Sequence, residues 1–82
     1  MKIKIEELLN IISLSLDVPL KKISIKTKSD DIQEWDSLGQ LEIVTSLDDK
    51  FEGKLNLEKL SSKKSVKEII AFLKKKNLYF KK

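Results

Sequence analysis

Asp36-Ser37-Leu38-Gly39-Gln40-Leu41-Glu42-Ile43-Val44-Thr45-Ser46-Leu47-Asp48-Asp49-Lys50-Phe51-Glu52-Gly53 is the stretch that decides the fold. Aspartate is a favoured N-cap, and the charge of Asp36 suits the positive end of a helix dipole. Gly53 is a natural residue for a C-terminus, so the spacing predicts a helix from about Ser37 to Phe51. At about 100° per residue from Leu38, the residues Leu41, Ile43, Val44, Leu47 and Phe51 fall between about 140° and 300°. That is the core arc of an amphipathic helix. Leu38 lies outside it, on an outer face shared with Glu42, Thr45, Ser46 and Asp49.

Working outward, Ile5, Leu8, Leu9, Ile12 and Leu16 form a narrow stripe at helical spacing. Asp17-Val18-Pro19 ends that first helix, because a residue before proline is pushed out of the helical region. Residues 20–35 form a long connection in which Ile23 and Ile25 alternate. A lone strand has no partner in so small a chain, so the reading is a loop whose isoleucines plug the core. Leu55, Leu57 and Leu60 suggest a short third helix or turn. Ser65-Val66-Lys67-Glu68 has the form of a capping box, with Ser65 as cap and Glu68 reaching back. The last helix then buries Val66, Ile69, Ile70 and Leu73, with Lys74–Lys76 in its final turn, where cations suit the dipole. Leu78, Tyr79 and Phe80 make a short apolar tail. The fold class is all-α: a small four-helix bundle with three main helices, a short third one and a long first loop.

Eighty-two residues make one domain, spanning 1–82, in which roughly 60–65% of the unfolded surface can be buried. The chain has no cysteine and no histidine. It therefore lacks a thiolate nucleophile, a disulfide, the commonest metal ligand and the usual side chain that titrates near neutrality. These absences weigh against an autonomous enzyme and against a metal site. No apolar run approaches the roughly 20 residues of a membrane helix. The start, Met1-Lys2-Ile3-Lys4-Ile5-Glu6-Glu7, turns acidic where a signal peptide would stay apolar. A soluble, cytoplasmic, monomeric protein is expected.

The net charge of +4 conceals an asymmetry. Residues 1–29 carry six lysines against three acids, and residues 53–82 carry ten against two. Residues 30–52 carry only Lys50 against Asp30, Asp31, Glu34, Asp36, Glu42, Asp48, Asp49 and Glu52. A basic chain with an acidic centre is not a uniform polyanion binder, and its centre should attract basic surfaces.

Ser37 opens the central helix. A serine in a first turn presents its hydroxyl beside unpaired backbone N–H groups, where a phosphate is favoured. Asp36 opposes that by like-charge repulsion. Gly39 leaves bare backbone beside the serine, which would allow close approach. Taken residue by residue, Asp36-Ser37 also serves simply as a good helix start. Trp35 reads as a packing residue at the loop–helix corner, and Leu38 has the alternative of packing under the loop with it.

Glu34-Trp35-Asp36-Ser37-Leu38-Gly39 resembles the attachment motif of acyl and peptidyl carrier proteins, in which an Asp-Ser-Leu opens the second helix. The resemblance covers nearly the whole chain: length, long first loop, capped second helix, short third and closing fourth. It implies that Ser37 receives 4′-phosphopantetheine covalently from coenzyme A, through a separate phosphopantetheinyl transferase using magnesium. Asp36 matches the aspartate that precedes the serine. The terminal thiol of the arm then carries acyl or aminoacyl groups as thioesters. This supplies the nucleophile the sequence lacks. Leu38, Glu42, Thr45, Ser46 and Asp49 match the helix face through which such carriers are recognised. The implied partners are an acyl- or aminoacyl-activating ligase and downstream acyl-processing enzymes.

The chain departs from the carriers of primary fatty acid synthesis in being net basic and in following Asp-Ser-Leu with Gly39-Gln40. These departures lean towards a dedicated carrier in a secondary or surface-polymer pathway, with primary fatty acid synthesis as the alternative. A nucleic-acid-binding module is the rival from another class, since seventeen lysines can neutralise phosphates. Against it stand the absence of arginine for bidentate base contacts, the lack of interleaved aromatics and the acidic centre. A plain helical adaptor would leave Ser37 unmodified. For an enzyme, no evident base is placed to activate Ser37.

Overall fold

In a computed structural model describing residues 2–80, the chain forms four α-helices: α1 Ile5–Leu16, α2 Ser37–Lys50, α3 Leu57–Leu60 and α4 Val66–Lys75. Single 3₁₀ turns at Leu20–Lys22 and Ser29–Asp31 sit in the connection between α1 and α2. Among the described residues no strand forms. Two isolated bridges are present instead, Ile3 with Tyr79 in parallel and Lys28 with Ser65 antiparallel. The all-α bundle read from the hydrophobic spacing is the fold observed.

The periodic stripes meet in one hydrophobic cluster. From α1 it takes Leu8, Ile12 and Leu16; from α2 Ile43, Val44 and Leu47, with Phe51 just past the helix end; from α4 Val66, Ile69, Ile70, Phe72 and Leu73. Leu55 and Leu60 bring the short α3 segment into the same core, while Leu57 stays partly outside. Burying a large aliphatic or aromatic side chain contributes about 1.5–3 kcal/mol. The registered stripes, more than intrinsic helix propensity, therefore hold these short helices.

Helices α1, α2 and α4 end alike. Asp17 (φ 57°), Glu52 (φ 56°) and Asn77 (φ 59°) each take the left-handed conformation. The next N–H then reaches five residues back: Val18 to Ser13 (3.1 Å), Gly53 to Asp48 (3.0 Å) and Leu78 to Leu73 (2.8 Å). This is the Schellman arrangement, which satisfies carbonyls the helix leaves orphaned. The stop of α2 thus differs from the sequence reading, because Glu52 makes the left-handed turn and Gly53 (φ 77°) follows it.

The long connection also differs in one residue. Ile23 is buried, but Ile25 is 43% exposed. A tight turn, with Thr27 N–H donating to the Ser24 carbonyl and Ser24 N–H to Thr27 Oγ1, throws Ile25 outward at its tip. Thr27, Ile32 and Val18 are buried in the segment instead. The loop is tied to the start of α4 by Ser29 N–H to the Lys64 carbonyl (2.8 Å) and Val66 N–H to the Thr27 carbonyl (3.0 Å).

Ser65 caps α4 as read, its Oγ accepting from Glu68 N–H. The reciprocal half of the box is displaced by one residue, and the Glu68 carboxylate accepts from Lys64 N–H (2.8 Å). The apolar tail packs through two of its three residues, and Phe80 stays 49% exposed. Ile3 N–H donates to the Leu78 carbonyl and Phe80 N–H to the Ile3 carbonyl, and Leu78 and Tyr79 lie against the core. Burial there, and secondarily Glu6, pushes the Tyr79 phenol above its usual range.

Glu52 is a non-glycine residue held where L side chains are disfavoured. Glu52→Gly should raise the stability by about 0.5–1 kcal/mol, because relief of the strain exceeds the added chain entropy of the unfolded state. The urea midpoint checks this. A lowered midpoint would show that the Glu52 side chain contributes more than its backbone costs.

Candidate functional site

The approach to α2 is built around Trp35, which is only 4% exposed. Its indole Nε1 donates to Gln40 Oε1 at 2.6 Å. Gln40, 8% exposed, turns its amide nitrogen to the carbonyls of Lys63 (2.9 Å) and Ser61 (3.1 Å), with the Leu60 carbonyl at 3.5 Å. One side chain thus joins the α1–α2 loop, the first turn of α2 and the α3–α4 connection. Among the described residues no buried side-chain nitrogen or oxygen lacks a partner.

Trp35 packs at the loop–helix corner, as its sequence position suggested. Gln40 was missed. At about 200° on the helical projection it lies in the middle of the core arc, but the arc was drawn through apolar residues alone. Leu41, placed in that arc by its type, is 59% exposed because it sits at the arc's edge.

Gly39 closes the other flank of the same turn. A Cβ added there would lie 2.3 Å from the Glu34 carbonyl oxygen and 2.6 Å from Leu16 Cδ2. The close approach that a bare backbone permits is therefore made by the chain's own loop and by α1, and Gly39 is buried. This corrects the expectation of open backbone beside the serine.

Ser37 is the first residue of α2 and is exposed. Asp36 caps the helix, its Oδ1 accepting from Gly39 N–H at 2.9 Å. Gln40 N–H donates to the Asp36 carbonyl. Among the described residues no hydrogen bond engages the Ser37 hydroxyl or the N–H groups of Ser37 and Leu38. The cap thus directs the Asp36 carboxylate into the helix end, beside a free hydroxyl and two free donors.

Leu38 is 65% exposed and does not pack under the loop. Glu42, Thr45 and Asp49 are exposed with it, and Leu41 adds a second apolar residue at the edge of this face. Ser46 departs from the group. It is half-buried, and its Oγ accepts from Ser15 Oγ of α1 at 3.0 Å. A second tie between these helices is the ion pair of Lys50 with Glu7. Beside Ser37 lies a shallow depression of about 310 Å³, bordered by Glu34, Asp36, Glu42, Leu38 and Leu16.

No family model, curated protein or solved structure matches the chain. No helix among the described residues is long and apolar enough to cross a membrane.

Gln40→Leu keeps the volume but strands the indole N–H and two carbonyls. Leaving a buried polar group unpaired costs about 1–3 kcal/mol, so a loss of about 2–4 kcal/mol is expected in denaturant unfolding. The fluorescence of the single tryptophan should shift towards its solvent-exposed wavelength as the corner loosens. A loss under about 0.5 kcal/mol would show that the junction contributes little.

Proposed function

We propose that the chain is a carrier protein that holds a 4′-phosphopantetheine arm on Ser37 and presents it to partner enzymes, without catalysis of its own. One observation carries the reading: Ser37 stands exposed as the first residue of a capped helix, with an outward leucine beside it and carboxylates around and beyond it. The free N–H groups of the first turn suit a phosphodiester on that oxygen. The Asp36 carboxylate is held to Gly39 N–H, which offsets part of its repulsion for the phosphate. When bound, the arm supplies a thiol that carries acyl or aminoacyl groups as thioesters, a nucleophile this cysteine-free chain does not have.

The face made by Leu38, Glu42, Thr45 and Asp49, with Leu41 at its edge, then serves recognition. Carboxylates around an apolar anchor suit basic partner surfaces, giving orientation and faster encounter. Ser46 contributes through its bond to Ser15, which fixes α2 against α1, more than by direct contact. The net basic character and the Gly39-Gln40 continuation favour a dedicated secondary or surface-polymer pathway over primary fatty acid synthesis.

Incubation with coenzyme A, magnesium and a broad-specificity phosphopantetheinyl transferase should add one phosphopantetheine mass to the parent. Ser37→Ala should gain none. An unmodified parent under conditions that load a control carrier would remove the reading.

Glu42→Lys and Asp49→Lys should each slow loading of the holo-protein by its activating ligase several-fold at low ionic strength, with the gap narrowing as salt rises. Because both residues are exposed, stability should stay within about 0.5 kcal/mol. Unchanged loading rates would remove the docking role from this face.

A further inference from the structure

Resting on the carrier reading, we propose that Gln40 and Trp35 keep the bundle closed to whatever the arm carries, so that the cargo is a short or polar acyl group held in solvent and not a long apolar one drawn between the helices. Both flanks of the first turn of α2, next to Ser37, are shut. On one, the Glu34 carbonyl and Leu16 press on Gly39 with no room even for a methyl group. On the other, the Gln40 amide bridges the Trp35 indole to the carbonyls of Ser61 and Lys63. Below them Ile43, Leu47, Leu60, Ile69 and Leu73 fill the interior with no exposed surface.

Entry along the Gln40 flank requires the indole N–H, the amide and two carbonyls to give up their partners. An alkyl chain has no donor or acceptor to replace them, so each polar group would be stranded in an apolar setting. Every methylene gains by burial, but a short chain has too few of them to offset three broken hydrogen bonds, and a polar cargo gains nothing from the core. Outside, the depression beside Ser37 is bordered by three carboxylates, from Glu34, Asp36 and Glu42. Leu16, Leu38 and Gly39 border it as well, so it offers both polar and apolar surface to a group held outside the bundle.

Loading Ser37 with the transferase from acetyl-coenzyme A and, in parallel, from octanoyl-coenzyme A tests this. Intact mass reports attachment, thermal melting reports stabilisation, and the indole N–H resonance of the sole tryptophan reports the junction itself. Cleavage of the thioester by hydroxylamine reports exposure of the cargo. The expected result is that the two loaded forms share one indole resonance and melt within about 1 °C of each other. Their thioesters should also be cleaved at equal rates. An octanoyl form with a displaced indole resonance, a melting point several degrees higher and several-fold slower cleavage would overturn the inference while leaving the carrier reading intact.

Absence of any mass gain would remove the carrier reading and this inference together. Gln40→Ala, which opens a gap in the barrier, should acquire the chain-length dependence that the parent lacks. If it folds and shows none, Gln40 is not the barrier. If it does not fold, the comparison of the two loaded parent forms decides the matter alone.

Discussion

The buried amide of Gln40 is the constraint around which the rest of the molecule is arranged. Helix α2, entered from a long loop and left by a short one, has no cysteine for a covalent staple to hold those connections in place. Gln40 has donors and an acceptor to offer at one point, and it uses both: the indole of Trp35 on one side, the carbonyls before α4 on the other. In a low-dielectric interior such bonds are strong when complete and costly when broken. The junction therefore specifies one arrangement of loop, helix and connection, where apolar packing alone would tolerate several.

That rigidity is what allows Ser37 to be presented openly. The two residues before it are tied down, Trp35 in the core and Asp36 to the backbone of Gly39, while the serine and Leu38 are exposed. The proposed carrier role needs a serine that other proteins can reach, and a firm element's exposed end suits that need. The ties of α2 to α1, through Ser15 and Ser46 and through Glu7 and Lys50, add orientation more than energy, since partly exposed polar pairs contribute about 0–1 kcal/mol.

Particular residues show where the sequence was readable. Of the stripe Ile5-Leu8-Leu9-Ile12-Leu16, Leu8, Ile12 and Leu16 are buried and Ile5 and Leu9 pack partly buried against the core; Val66, Ile69, Ile70 and Leu73 are all buried, and Asp36 and Ser65 cap the helices they precede. Ile25 failed because alternation says nothing about a turn that throws one residue out at its tip. Leu41 and Gln40 exchanged places because the projection was weighted by hydrophobicity, whereas the interior needed one amide to complete hydrogen bonds that no sequence-local signal announces. Gly39 was visible as a glycine, but what presses on it is the Glu34 carbonyl and Leu16, the latter more than twenty residues away. For the site, Ser37 and the outward Leu38, Glu42, Thr45 and Asp49 were legible from helical phase. The engagement of Ser46 with Ser15 was not.

By itself the sequence determined the order of the helices and most of their inward apolar positions, since these follow from local periodicity and from capping residues acting within a turn. It also determined the chemical inventory: no thiol, no imidazole, and a serine at the head of a helix rich in carboxylates. Only the tertiary structure decided which side of Gly39 is occupied, which polar residue enters the core and how the flanks of α2 are closed. Those depend on contacts between segments far apart in the chain, where the partner of each group is chosen by packing and by the need to satisfy every buried donor and acceptor at once.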